Sequence, residues 1–193
     1  MLTPEDKKLI AYHESGHALV RLLLPETADP LHKVTIIPRG SALGVTHSLP
    51  EREKYITTKE EMEASIMSAL GGRVAEEIIF NTLTTGAYSD FKTANRLVRN
   101  MVCHYGMSPE LGTIIYSQQH GDFEYSQKTA EKIDAEVQRL TALYHDQTRT
   151  LLEANRDKLD LLANALMEKE TMDADEIYKL LSITPRQAHK LIN

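Results

Sequence analysis

The sequence of 193 residues contains one cysteine, no tryptophan and only three phenylalanines. A lone thiol, Cys103, cannot form an internal disulfide, so the chain suits a reducing compartment and we expect a cytoplasmic location. Because the chain has so few large aromatic rings, we do not expect it to bind single-stranded nucleic acid by stacking on its bases. The net charge of −6 also lacks the basic surface that DNA or RNA would need, so no nucleic-acid partner is expected.

Long apolar runs are missing as well. No run approaches the roughly 18 residues that a membrane span needs, and the N-terminus lacks the apolar core of a secretory leader. The sequence has no Gly-x-x-x-x-Gly-Lys-Ser/Thr phosphate-binding loop, so this chain alone is not expected to hydrolyse ATP. The apolar share of 41% and the charged share of 26% are ordinary for a soluble protein with one compact core.

The spacing of apolar residues predicts a mainly α-helical protein with a small β-sheet, an α+β fold. Helices are expected over residues 5–24, 58–80, 91–104, 126–153, 156–169 and 173–181. Strands are expected over residues 33–37 and 43–49, with a third candidate at 114–116 and a polar loop at 118–124. We expect one domain over residues 1–181, with a catalytic part at 1–117 and C-terminal helices at 126–181, followed by a flexible tail at 182–193.

Residues 13–17 form the pattern His13-Glu14-x-x-His17 within the first predicted helix. Histidines at this spacing lie one helical turn apart on the same face, so both rings can reach one metal ion. The glutamate between them can take a proton from a metal-bound water, as in zinc hydrolases and most often in metallopeptidases. Two hydrogen-bonded core histidines are the alternative. A metal is favoured because these polar groups are costly to bury on a largely apolar helix without a partner.

A catalytic zinc site needs three protein ligands and an open position for water, so one ligand is still to be found. A glutamate on the predicted helix 58–80 would follow the thermolysin plan, whereas Asp90 could bind the metal or simply cap the next helix. The residues alone leave open several candidates, which are Glu76, Glu77, Asp90, His32, His47, His104 and His120.

Several motifs, in the same order, resemble the peptidase domain of the FtsH family, the membrane-anchored ATP-dependent zinc metalloproteases. The matching stretches are residues 11–18, 33–40, 42–46, 71–80, 85–90 and 101–108. The resemblance covers nearly the whole chain up to about residue 181, and it does not include the family's ATPase domain. Several motifs in sequence are far more specific than the five-residue zinc pattern alone.

The resemblance implies a zincin-like helix and assigns the open ligand. In the family the third zinc ligand is an aspartate after a Thr-Gly-Ala turn, which falls on Asp90 here. Glu76 is then expected to orient a ligand histidine through that ring's other nitrogen. The implied site is one Zn²⁺ per chain held by His13, His17 and Asp90, with Glu14 as the general base on a zinc-bound water.

The substrate is expected to lie extended along the edge of the second predicted strand, against Gly44, Val45, Thr46 and His47. Main-chain hydrogen bonds along a strand edge hold a peptide of any sequence, which suits a protease of low specificity. A strand in ordinary sheet packing would show the same alternating pattern.

The predicted function is that of a zinc metalloendopeptidase that hydrolyses unfolded or extended polypeptides. Full-length members of the resembling family carry out ATP-dependent quality-control proteolysis at a membrane, with this domain on the cytoplasmic or the matrix or stromal side. The resemblance therefore implies an ATPase domain as partner, in cis or in trans, and a homo-oligomer that is hexameric in the family. The chain would be either an excised peptidase domain or a stand-alone relative.

The rival interpretation is a proteolytically inactive, zinc-stabilised assembly or adaptor module. The intact Glu14 argues against it, because a purely structural zinc site needs no base and is usually closed by a fourth ligand. Three departures from the family pattern concern substrate access and subunit contacts rather than the metal. They are a short segment at residues 80–85, a trimmed segment at 118–126, and Ser89 where asparagine is common.

Overall fold

The computed structural model describes residues 3–38, 44–48, 56–119, 122–123 and 125–185. Its helices are α1 (Pro4–Leu23), α2 (Lys59–Phe80), α3 (Tyr88–Cys103), α4 (Gln127–Glu153), α5 (Arg156–Lys169) and α6 (Ala174–Leu181), with a 3-10 turn at Thr85–Ala87 before α3. Its strands are β1 (Leu31–Thr35), β2 (Val45–Ser48), β3 (Gln118–Gln119), β4 (Asp122–Phe123) and β5 (Thr171–Asp173). The predicted mainly α fold with a small sheet is confirmed.

Helix α1 begins at a capping box and crosses α2 at a backbone contact. The Thr3 side chain accepts from the Asp6 N–H and the Asp6 carboxylate accepts from the Thr3 N–H, which satisfies two donors of the first turn. Further along, a Cβ on Gly71 of α2 would lie only 2.6 Å from the Gly16 carbonyl oxygen. The two glycines therefore let the helix that carries the His-Glu-x-x-His pattern lie directly against α2.

Helix α2 begins at the predicted capping box, in which the Thr58 hydroxyl and the Glu61 carboxylate each bond the other's backbone N–H. Most of its predicted apolar stripe is buried, namely Met62, Ile66, Leu70 and Val74, whereas Ile78 is partly exposed. The helix packs against α1 on one side and against α4 on another. It is therefore the central element between the candidate site and the C-terminal helices.

The three-stranded sheet is antiparallel and has the order β2-β1-β5. Strand β1 covers Leu31–Thr35 instead of the predicted 33–37. Beyond Thr35 the Ile36 N–H still donates to Glu170 O, but Glu170 is the left-handed residue that ends α5, so the partner strand begins only at Thr171. Strand β5, between α5 and α6, was not predicted, since three residues after a helix give no usable alternation. It brings the C-terminal part of the chain onto the same sheet as β2. The division at residue 117 stays a prediction.

The predicted strand at 114–116 is wrong. The Tyr116 N–H donates to Cys103 O and its hydroxyl donates to Leu111 O, so this segment folds back onto the end of α3 instead of joining a sheet. Conversely, the predicted polar loop at 118–124 contains the small β3–β4 hairpin. The predicted strand at 43–49 is confirmed at Val45–Ser48, and its first and last residues lie outside the described ranges.

The C-terminal helices close the core over α1 and α2. Large side chains with essentially no exposed surface come from α4, α5 and α6, for example Tyr144, Leu152, Leu162, Leu166 and Ile177. Within the described ranges no helix combines the length and the apolar character of a membrane span. The tail predicted at 182–193 falls from residue 186 onward outside the described residues.

Candidate metal centre

The histidines of α1 point to one spot. The Nε2 atoms of His13 and His17 lie 3.0 Å apart, and neither side chain exposes more than about an eighth of its surface. This contact follows from their spacing of one helical turn, as the sequence predicts.

Asp90 reaches the same spot from α3. Its Oδ2 lies 3.2 Å from His13 Nε2 and 3.5 Å from His17 Nε2. Helix α3 begins at Tyr88 rather than at the predicted residue 91, because the 3-10 turn runs straight into it, so Asp90 lies in its first turn. Four ligands at about 2.05 Å around a tetrahedral zinc are about 3.3 Å apart, which is close to all three separations.

The hydrogen bonds of the two rings make this spot suitable for a cation. His17 Nδ1 donates to Ser68 O over 2.7 Å, and His13 Nδ1 lies 2.6 Å from Glu76 Oε1. A carbonyl oxygen and a carboxylate can only accept, so each Nδ1 carries a proton and Nε2 is the nitrogen that faces the cluster. Two Nε2 atoms and a carboxylate oxygen this close together need a cation between them, which is either a proton or a metal ion.

Room for a bound ion is provided by Gly72 of α2. A Cβ at this position would lie 2.6 Å from the Nε2 atoms of both His13 and His17. Any larger residue would fill the space in which the three donor atoms meet. The donor set of two imidazoles and one carboxylate suits zinc, so the residues present fit the predicted metal.

The predicted orienting residue, Glu76, is fully buried behind His13. Its second oxygen accepts a hydrogen bond of 2.9 Å from the Thr84 hydroxyl. Burial alone would raise the pKa of Glu76, but the contacts with His13 and Thr84 and the nearby Arg73 lower it overall. Glu76 thus stays anionic where it can fix the ring of a metal-binding histidine.

The ionisation of the cluster follows from its contacts. Burial acts to lower the pKa of His13, but hydrogen bonds with Asp90 and Glu76 outweigh it and raise the pKa to about 9. Burial acts to raise the pKa of Asp90, and the two imidazoles instead hold it below its usual range. The site therefore favours a positive charge between these groups, which either a proton or a metal ion can supply.

The other candidates for the third ligand lie elsewhere. Among the described residues, His13, His17 and Asp90 are the one group of three or more potential ligands whose donor atoms converge, all within 4.8 Å of one another. Glu77 faces α4, where its carboxylate contacts His145 and Arg149. The remaining histidines that the sequence left open are His32 and His104, which are exposed, His47, which is on β2, and His120, which is outside the described residues.

Glu14 is held at the mouth of the metal cluster. Its side chain is buried, and its Oε2 accepts a hydrogen bond of 2.7 Å from the Thr46 hydroxyl on β2. On the other side, a Cβ on Gly44 would lie 2.7 Å from Glu14 Oε1, so the chain just before β2 passes directly over the carboxylate. Residues 44–46 therefore position Glu14 as well as lining the cleft.

The cluster opens into a cleft of about 750 Å³, lined by α1, α2, α3 and the start of β2. Of the predicted substrate residues, Gly44, Val45 and Thr46 line this cleft. His47 does not; it lies opposite Lys33 of β1, and its buried Nε2 has no hydrogen-bond partner among the described residues. In the described part of the sheet β2 pairs only with β1, which leaves its other edge open.

The sequence did not single out several residues that contribute to the site. Ser68 and Thr84 act through a backbone oxygen and a hydroxyl, and such contacts leave no signal in the sequence. Gly72 carries no pattern of its own. Arg21 could have been found, because it follows His17 by one further helical turn and lines the same cleft.

Comparison with known proteins gives consistent results. The chain matches the model of the family described as Peptidase family M41 over residues 1–180. It is 45% identical to the ATP-dependent zinc metalloprotease FtsH of Cupriavidus metallidurans over 96% of this chain and 30% of that protein. The corresponding proteins of Kosmotoga olearia and Bacillus subtilis are 43% and 42% identical over 95% and 94% of this chain. The chain thus spans about 30% of the length of these relatives.

Proposed function

This chain belongs to peptidase family M41, and from that premise we propose that it is the peptidase part of a zinc metalloendopeptidase. The observation that carries the proposal is the convergence of donor atoms from His13, His17 and Asp90 with Glu14 beside them in one open cleft. Membership of the family confirms the resemblance to FtsH proteins that the sequence motifs indicated.

The three converging side chains would hold one zinc ion. When bound, zinc would act as a Lewis acid that lowers the pKa of a coordinated water and polarises the carbonyl of the scissile bond. The residues behind the ligands, Glu76 and the Ser68 carbonyl, keep each imidazole in the tautomer that presents Nε2 to the cluster.

Glu14 is proposed as the general base. Its buried carboxylate opens to the cleft and is held by Thr46, so it can accept a proton from the attacking water and return it to the leaving amine. A structural zinc site would have no use for such a residue, which favours an enzyme over the inactive adaptor module.

The proposed substrate is an extended or unfolded polypeptide. Val45 and Thr46 of β2 line the cleft, and β2 has one neighbour in the described part of the sheet, so its main-chain groups could hold a peptide without reading its sequence.

We further propose that the chain works with an ATPase domain, in cis or in trans, in a homo-oligomer at a membrane, with the peptidase domain on the cytoplasmic side or its organellar equivalent. The relatives are named as ATP-dependent, and this chain aligns with only about 30% of their length. The proposal of a hexamer rests on the resemblance alone.

The test is the Glu14→Gln variant beside the unaltered chain, with zinc content and cleavage of unfolded casein measured on the same samples. We expect one zinc per chain in both proteins and loss of cleavage in the variant. Cleavage should also stop when a chelator removes the metal. Cleavage by zinc-loaded Glu14→Gln would contradict the general-base role, and zinc binding without cleavage by the unaltered chain would favour the adaptor module.

A further inference from the structure

Arg21 continues the line of metal-site residues along α1. His13, His17 and Arg21 are spaced one turn apart, so all three lie on the face of the helix that borders the cleft. Among the described residues that line the cleft, Arg21 is the only lysine or arginine. Arg21 is therefore the one permanent cation that the described residues contribute to the wall of the cavity.

One nitrogen of the Arg21 guanidinium lacks an acceptor. Its Nε is buried and has no hydrogen-bond partner among the described residues. Burial lowers the pKa of Arg21, and the charge of Asp29 only partly opposes this. A buried N–H without an acceptor destabilises the protein, and an incoming carboxylate could relieve it.

The acidic side chains of the cleft are already engaged with other groups. Glu14 accepts from Thr46, Glu76 is bound by His13, and Asp90 lies against the two metal-site imidazoles. None of them is available to Arg21. Arg21 therefore lines the cleft while the cleft's own carboxylates are held by other partners.

We propose that Arg21 is a specificity residue that binds a carboxylate of the peptide in the cleft. The carboxylate belongs either to an aspartate or glutamate side chain near the scissile bond or to the C-terminus of the peptide. Arginine suits this task because its planar fork can donate two parallel hydrogen bonds to a carboxylate. This inference rests on the proposed function, since it assumes that the cleft holds peptides.

The test measures peptide binding rather than cleavage. Zinc-loaded Glu14→Gln protein is titrated, by fluorescence anisotropy, with a neutral amidated reference peptide, with single Gln-to-Glu versions at each position, and with the same peptide carrying a free C-terminal carboxylate. At least one acidic peptide should bind about tenfold more tightly than its neutral counterpart, the effect of one charge-assisted contact. The arm that shows the preference identifies the source of the carboxylate.

Adding Arg21→Gln should remove the preference and leave binding of the neutral reference peptide unchanged. The matched control is Arg99→Gln, which removes the same charge from an exposed pair between Arg99 of α3 and Asp134 of α4, residues that do not line the cleft. Arg21→Met should fold with an unchanged or raised Tm, because the replaced guanidinium has an unsatisfied nitrogen.

Three results would overturn the inference. They are no acidic preference in the protein that retains Arg21, a preference that survives Arg21→Gln, and an equal loss of binding for the neutral peptide. Failure of the proposed function would look different. The unaltered, zinc-loaded chain would then leave every peptide uncut, whereas the binding titrations with Glu14→Gln could still be completed.

Discussion

Glu76 and Glu77 are neighbours on α2 and each meets a histidine, yet they serve different parts of the molecule. Glu76 is fully buried and contacts His13 of α1, whereas Glu77 keeps 17% of its side chain exposed and contacts His145 and Arg149 of α4. Successive residues on a helix point about 100° apart, so adjacent carboxylates can face different partners. One helix thus supports the proposed metal centre on one side and helix packing on the other.

The partners explain why we assign only one of the two carboxylates to the proposed metal centre. Arg149 is a permanent cation at 2.5 Å from Glu77 Oε2, so that carboxylate is neutralised without any metal. Glu76 instead binds the Nδ1 side of His13, which leaves the Nε2 side free to face Asp90. A histidine between two carboxylates is suited to metal binding in a way that a carboxylate on an arginine is not.

The largest expected effect comes from removing a proposed ligand on the site side of this comparison. Asp90→Ala should weaken zinc binding by at least about 100-fold, because one of three protein donors is lost. Glu77→Ala, the matched removal of a carboxylate on the other side of α2, should leave zinc affinity unchanged. Titration with a competing zinc indicator gives both values, and equal losses in the two variants would contradict the assignment of Asp90.

The same comparison shows why the sequence alone could predict that His13 and His17 converge but not that Asp90 joins them. His13 and His17 lie on one helix, so their geometry follows from their spacing alone. Asp90 meets them only through the packing of α3. The local periodicity of the sequence does not predict how helices pack. Helix α2 is covered by both α1 and α4, so its apolar pattern could not tell which of Glu76 and Glu77 faces the site. The family resemblance assigned the third ligand to Asp90 where the residues alone had left the choice open.

The fold shows the same division between local and distant information. The capping box at Thr58 and the long apolar periods predicted the helices well, and α5 has the predicted bounds of Arg156–Lys169. Strand β5 was not predicted because its three residues become a strand only by pairing with the distant β1. The prediction for residues 114–116 was wrong for the opposite reason. The apolar composition suggested a strand, but this segment has no neighbour to pair with in the described sheets.

The second prediction concerns the residue behind the ligand. Glu76→Ala should lower zinc affinity by about 10- to 100-fold, less than Asp90→Ala, because His13 loses the group that fixes its tautomer and orientation. Thr84→Val, which removes the hydroxyl bonded to Glu76, should act in the same direction and more weakly. A Glu76→Ala loss larger than that of Asp90→Ala would favour the thermolysin-like arrangement.

The third prediction tests a carboxylate that is held by a single hydroxyl. Thr46→Val removes the hydrogen bond to Glu14 and should lower kcat by about tenfold, since a hydrogen bond to a charged group contributes about 1.5–3 kcal/mol when fully formed. Zinc content should not change, because Thr46 does not touch the ligands. Thr46→Ser keeps the hydroxyl and is the matched control, and an equal loss of kcat in that variant would show that the methyl group matters instead.

The smallest effect is expected where Glu77 joins α2 to α4. Glu77→Ala removes contacts with Arg149 and His145, and we expect a loss of about 1 kcal/mol in the free energy of unfolding, because Arg149 is about a third exposed and water screens the pair. Denaturant unfolding of metal-free protein isolates this term from zinc binding. In a double-mutant cycle, Arg149→Ala should add little once Glu77 is gone. A Glu77→Ala variant that keeps its stability but loses zinc would break the comparison, since the two sides of α2 would then share one function.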